Sequence, residues 1–173
     1  MRWDLQSYQE AAKQREVLKT KHVNDEPVGA YVGELKKRYP DLGFRDCEME
    51  HGNSILNSKE KKLLEATIKN REILFQARIE LSRKKLDHAK IGQLLLDHHK
   101  VLRDLLKIST DKIEKMIDVS MNAGAIGAKI NGSGGGGCMF AYAPDDPQRV
   151  ANAINKVGGH ATIIHSGDGV RIA

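Results

Sequence analysis

Between Ala123 and Phe140 the chain reads Ala-Gly-Ala-Ile-Gly-Ala-Lys-Ile-Asn-Gly-Ser-Gly-Gly-Gly-Gly-Cys-Met-Phe, and its chemistry is concentrated there. Glycine lacks a Cβ, so it enters left-handed conformations freely and lets a ligand reach the main chain. The run Gly132-Ser133-Gly134-Gly135-Gly136-Gly137 can therefore turn several backbone N–H groups into one concavity. Phosphate is the usual guest of such a nest. The Ser133 hydroxyl can donate to the same anion. Lys129 can add a cation, although a lysine at a strand end is often simply solvated. A linker would share this composition. Here, however, the run is bracketed by Ala128-Lys129-Ile130 and Cys138-Met139-Phe140-Ala141-Tyr142, which are strand-forming segments that want burial. Two common phosphate loops are excluded. No G-x-x-x-x-G-K-[ST] occurs, and the run lies between strands, not ahead of a long helix.

Other reactive side chains form no cluster. His98 and His99 are adjacent and point about 100° apart on a helix, so they cannot make an i, i+4 metal pair. His99 reads as a packed or capping histidine. Cys47 and Cys138 show no metal-ligand spacing, and a disulfide between them is disfavoured in a cytoplasmic chain. Cys138 reads as a small buried hydrophobe, and Asp168-Gly169 as a turn. No metal-ligand set and no catalytic side chain is assigned.

The elements that must position the loop change character near Ala123. From Ser54 to Ser120 there is one glycine, Gly92, and no proline, whereas seven glycines fall between Gly124 and Gly137. A helical part thus precedes a glycine-punctuated part. Gln6 to Lys21 is helix-prone, Val28 to Tyr39 predicts a short helix stopped by Pro40 and Gly43, and Gly43 to Asn53 predicts a loop. Ser58 is the expected N-cap of a long helix whose apolar positions are Leu63, Leu64, Ile68, Ile73, Leu74, Ala77 and Leu81. Asp87 caps the next, with Ile91, Leu94, Leu95, His98, Leu102 and Leu105 on one face. Ser109 or Thr110 caps a third, carrying Ile113, Ile117 and Met121 and ending at Gly124. Strands follow at Gly127 to Asn131 and Cys138 to Ala143. A helix then opens at Pro144-Asp145-Asp146-Pro147, carries Val150, Ala153, Ile154 and Val157, and stops at Gly158-Gly159. Further strands are expected at Ala161 to Ile164 and Val170 to Ile172. The fold class is α+β, with helices packed on an antiparallel sheet. The expected division is a partly helical segment over 1–53 and a domain over 54–173.

The chain has 173 residues, net charge +5, 40% hydrophobic, 29% charged and 5% aromatic residues, as in an ordinary globular domain. Its charges interleave, as in Lys59-Glu60-Lys61-Lys62, which reads as a solvated helix face. Scarce aromatics argue against a single-strand nucleic-acid platform. No apolar run reaches the length of a membrane span, and Met1 to Arg15 lacks a signal-peptide core, so a cytoplasmic location is expected.

Gly124, Gly127, Lys129, Gly132, Gly134, Gly136, Gly137 and Cys138 together resemble the third, C-terminal motif of the GHMP small-molecule kinases, the superfamily of galactokinase, homoserine kinase, mevalonate kinase and phosphomevalonate kinase. Gly92-Gln-Leu-Leu-Leu-Asp-His-His-Lys-Val-Leu is similar to that family's Gly-x-Leu-Met-x-x-x-His-x-x-Leu helix, and Ile108 to Ile113 to its Val-Ser-x-x-x-Leu/Ile segment. The match runs from about Leu63 to Ile172. It implies a ferredoxin-like C-terminal domain of an ATP- and Mg²⁺-dependent kinase, with Gly132 to Gly137 beside the nucleotide phosphates and a small-molecule alcohol or phosphate as substrate.

Within the superfamily, Asn70 to Leu81 and His99-x-x-Leu102-Arg103-Asp104 lean towards a galactokinase-like sugar kinase, and Tyr8 then corresponds to a sugar-contacting tyrosine. The four consecutive glycines are closer to mevalonate and heptose-phosphate kinases. The family's Pro-x-Gly-Leu-Gly-Ser-Ser phosphate loop, with its magnesium-linked serine and the substrate-side aspartate base, has no counterpart in the chain. The expectation is therefore a partner N-terminal kinase domain elsewhere, no activity from this chain alone, and an apolar face near the loop or self-association. A non-catalytic ligand-binding module is the alternative.

Overall fold

A computed structural model describes residues 29–42 and 46–165. The expected helix at Gln6 to Lys21, Tyr8, the turn at Asp168-Gly169 and the strand at Val170 to Ile172 lie outside the described residues.

Helix α1 (Gly29–Arg38) and the short helix α2 (Met49–Asn53) precede the long α3 (Ser58–Leu81). Sequence reading expects a loop through Asn53, but α2 forms there. The Glu48 N–H donates to His51 Nδ1 at 2.9 Å, and Gly52 is buried where a Cβ would fall 2.7 Å from the Leu64 side chain. The cap of α3 is Asn57, not Ser58. Its Oδ1 accepts from the N–H of Lys59 and Glu60, and Glu60 Oε2 accepts the Asn57 N–H at 2.8 Å, which closes a capping box. Leu35, Cys47, Leu56, Leu64 and Ile68 form a first core at this end. The guanidinium of Arg71 ties α3 to the preceding segment through the Cys47 carbonyl and the Glu48 carboxylate.

The apolar stripe expected along α3 is covered only in its first half. Leu74, Phe75, Ile79 and Leu81 are all more than half exposed. Exposed apolar rows of this size are uncommon away from interaction faces.

Helix α4 (His88–Lys100) is capped by Asp87, whose Oδ1 accepts the Lys90 N–H. It does not continue as an α-helix to Leu105. Val101–Leu105 widens into a π-helical turn, closed by Leu106 N–H to the Val101 carbonyl at 3.2 Å. Of the paired histidines, the fully buried one is His99, whereas His98 is half-buried. Thr110 caps α5 (Asp111–Asn122), and Gly124 ends it with φ +106°.

Strands β1 (Gly127–Asn131) and β2 (Cys138–Tyr142) form an antiparallel hairpin from Gly127↔Tyr142 to Asn131↔Cys138. Helix α6 (Pro147–Lys156) follows, with Asp146 as cap and Pro147 in its first turn. Leu102, Ile113, Met116, Ile117, Ala128 and Ile130 make the second core, so α5 and α6 pack on one sheet face. The structure is thus α+β, helices against a small antiparallel sheet. Ala161 to Ile164 is not a strand here. The Ala161 N–H goes to Asn155 Oδ1 at 2.8 Å, which ties it to the end of α6 instead of a sheet edge.

Candidate functional site

The glycine loop closes the β1–β2 hairpin. Gly132, Gly134, Gly135, Gly136 and Gly137 all have φ between +78° and +122°, so five of the six positions hold a conformation that L side chains avoid. Ser133, the exception, is exposed. The loop divides by its surroundings. At Gly132 and Gly137 an added Cβ would meet nothing within 4 Å, whereas at Gly134 it would lie 2.5 Å from Ile108 Cβ and 2.7 Å from Ile108 O. Gly134 and Gly135 are buried, and the Gly135 N–H donates to the Ile108 carbonyl at 2.8 Å. The middle of the loop therefore rests on Ile108, and its two ends are open backbone.

That support is itself held. Ile108 N–H donates to the Leu102 carbonyl at 3.1 Å, and Lys107 between them has φ +55°. Ser109 Oγ donates to Glu114 Oε1, which also takes the His99 Nε2 contact at 2.9 Å. Arg103 reaches Glu114 Oε2 at 3.4 Å and holds Asp104 at 2.8 Å. Burial works to raise the Glu114 pKa, but the Ser109 hydroxyl, His99 and Arg103 together hold it below the ordinary glutamate value. Sequence reading left Glu114 and Ile108 without a role at the loop. The signal was present in Ser109 and Glu114, five residues apart across a helix cap, but only the fold places His99 against them.

Lys129 lies on the outer face of β1, opposite Phe140. Its ammonium sits 5.2 Å from the Phe140 ring centroid and donates to the Ile130 carbonyl at 2.7 Å. Burial lowers its pKa, against a smaller opposing effect from Cys138. The same cation, after burial, lowers the pKa of His98. Cys138 is exposed, not buried as expected, because it occupies the last hairpin pair on the outer face, where Asn131 Nδ2 contacts its Sγ at 3.8 Å. Both cysteines are free thiols.

The open ends of the loop fit an anion such as phosphate, which needs backbone donors without overhanging side chains. They offer no carboxylate for a cation. Among the described residues no group of three His, Cys, Asp or Glu side chains could hold a metal ion. Among the same residues no helix is long and apolar enough to cross a membrane.

Residues 79–160 match the family model described as GHMP kinases C terminal. The chain is 43% identical over 89 residues to a mevalonate kinase of Thermococcus gammatolerans, covering 51% of this chain and 26% of that protein. It is 45% identical over 84 residues to a mevalonate kinase of Pyrococcus abyssi, covering 48% and 25%. A galactokinase of Mycobacterium bovis is 35% identical over 71 residues, covering 40% and 20%. The chain thus spans about a quarter of the length of the first two relatives. Among solved structures, the Lactococcus lactis galactokinase complexed with galactose superposes with a TM-score of 0.56 at 20% identity, over 91% of this chain and 39% of that one.

Proposed function

Residues 79–160 form a GHMP kinase C-terminal domain, and from that premise we propose that the chain serves ATP-dependent phosphoryl transfer to a small-molecule alcohol. The observation that carries this is the glycine loop. Its five left-handed residues open their backbone at Gly132 and Gly137, where nothing stands within 4 Å of an added Cβ. Phosphoryl transfer is mostly positioning and neutralisation of charge. ATP phosphates would lie against Gly132, Ser133, Gly136 and Gly137, while Gly134 and Gly135 fix the loop to Ile108. Lys129 reaches the same edge only if its ammonium leaves the Ile130 carbonyl. Mg²⁺ and the base that accepts the hydroxyl proton belong to a kinase N-terminal domain that this one meets. That domain, or a second copy, would cover the apolar half of α3. The domain's outer limits are proposed as 54–173, because α3 runs without a break from Ser58 into the matched region that begins at residue 79.

For the substrate, the mevalonate kinase relatives at 43% and 45% identity, together with the four consecutive glycines, favour a mevalonate-type alcohol. The sugar reading rests in the sequence on Asn70 to Leu81, His99-x-x-Leu102-Arg103-Asp104 and Tyr8, and a galactokinase relative at 35% identity supports it. A cytoplasmic setting with no nucleic-acid partner accords with both. The test is a hybrid in which residues 79–160 replace the matching part of the Thermococcus gammatolerans mevalonate kinase. Mevalonate phosphorylation within about tenfold of the parent supports the reading. A folded hybrid that binds neither ATP nor mevalonate overturns it.

A further inference from the structure

We propose that His99, fixed by Glu114 and Ser109, is the positioning residue of the glycine loop. One ring nitrogen holds the strand that enters the loop, and the other holds, through two side chains, the strap on which its middle rests. His99 is 3% exposed, so both its nitrogens need partners inside the protein. The Ile130 N–H donates to Nδ1 at 3.3 Å. Nδ1 is therefore the bare nitrogen, and the ring proton sits on Nε2, facing Glu114 Oε1 at 2.9 Å.

Each partner leads to the loop by a short covalent path. Ile130 is two residues before Gly132. Glu114 accepts from Ser109 Oγ, and Ser109 follows Ile108, whose carbonyl takes the Gly135 N–H at 2.8 Å. Between His99 and Ile108 the backbone twice leaves its cheapest conformations, at the π-helical turn Val101–Leu105 and at Lys107 with φ +55°. Both departures persist only where surrounding contacts impose them, and they gather at functional sites. Without them the chain after α4 would not bring the Ile108 carbonyl under Gly135. An apolar side chain could fill the volume of His99. It could not tie both the entry and the floor of the loop to one rigid helix.

This inference rests on the phosphate-facing reading of the loop for its purpose, but its test reads the loop and not turnover. The 173-residue chain is labelled with ¹⁵N, and amide hydrogen exchange is followed at Ile130 and Gly135, with amides near Leu64 as reference. His99→Asn keeps an acceptor close to Nδ1, and His99→Gln keeps a donor close to Nε2. In His99→Asn, Gly135 should exchange about five- to tenfold faster while Ile130 stays near the parent. In His99→Gln the pattern should reverse, each change having the weight of one hydrogen bond. The imidazole ¹⁵N spectrum of the parent should show the Nε2–H tautomer. Ser109→Ala, at a half-buried position outside the core, should speed Gly135 and leave Ile130 alone, and it keeps the test open if either His99 variant unfolds. If the two amides change together, if neither changes, or if the parent carries the Nδ1–H tautomer, the proposal falls. If the amides separate as described while the hybrid kinase is inactive, the positioning role stands and the phosphate role falls.

Discussion

Helix α4 crosses strand β1 at two glycines, and the separation there is set by the absence of two side chains. A Cβ on Gly92 would lie 2.2 Å from the Ile126 carbonyl oxygen and 2.8 Å from its carbon. A Cβ on Gly127 would lie 2.5 Å from the Gly92 oxygen. Carbon and oxygen rest at about 3.3 Å or more, so alanine at 92 must push the helix back by about 1 Å. Both parties are backbone, and neither can rotate away. Overpacking of this kind costs about 1–3 kcal/mol, and the upper end applies where no side chain can yield. Removing a glycine from a helix interior returns about 1 kcal/mol, which leaves a net loss of about 2 kcal/mol. For a chain of this size that lowers Tm by roughly 4–8 °C. Far-UV circular dichroism melts of Gly92→Ala would show it. The control is Gly33→Ala, in an exposed part of α1 with nothing within 4 Å, which should raise stability by up to about 1 kcal/mol. The expected result is therefore opposite shifts from the same substitution. If Gly92→Ala melts with the parent or above it, α4 is not seated on β1 as described, and the contact from His99 to Ile130 loses its basis.

Within the loop, Gly134→Ala should destabilise the chain by more than Gly137→Ala, because only the first collides with Ile108. Gly137→Ala should cost about 1–3 kcal/mol for its left-handed backbone while raising the KM for ATP in the hybrid kinase, read by urea melts and steady-state kinetics. Glu114 has its pKa held below the ordinary 4.5, so its contribution to stability is full above that value and is lost as pH falls through the lower folded-state value. Thermal melts on acidification below about pH 4.5 should therefore fall more steeply for the parent than for Glu114→Gln, and parallel curves would contradict the network. The 173-residue chain alone should give no ATP turnover above background with mevalonate or galactose, in a coupled ADP assay.

The local signals were legible where a side chain answers to its own neighbours. Asp87, Thr110 and Asp146 cap helices as their positions demand, Gly124 and Gly158 end them with positive φ, and the hairpin ends where the glycines begin. Asn57 displaced Ser58 as a cap because its amide oxygen reaches two N–H groups while Glu60 answers it, a reciprocal arrangement that a single-residue preference does not register. Helix α2 was not legible because its reasons are the Glu48 N–H to His51 Nδ1 contact, which no residue preference announces, and the burial of Gly52 against Leu64 of the next helix. The π-helical turn at Val101–Leu105 was hidden as well. Leu102 and Leu105 fit an α-helical face, and the departure shows only in the backbone, where the Leu106 N–H goes to the Val101 carbonyl.

The candidate site divides along the same line. That the glycine run turns through left-handed backbone could be read from residue type, since no other residue holds five such positions cheaply. Which of them face outward could not, because Gly134 and Gly137 have the same φ to within a few degrees and differ only in what stands beside them. The apolar stripe of α3 makes the point from the other side. Leu64 and Phe75 share one helical face at a spacing of eleven residues, three turns apart. Leu64 is buried because Leu35, Cys47 and Leu56 are opposite, and Phe75 is exposed because nothing among the described residues is. A periodic stripe states that a helix will be covered, whereas the partner decides where. Among the described residues nothing covers Leu74, Phe75, Ile79 and Leu81, so the second half of α3 keeps its apolar side exposed.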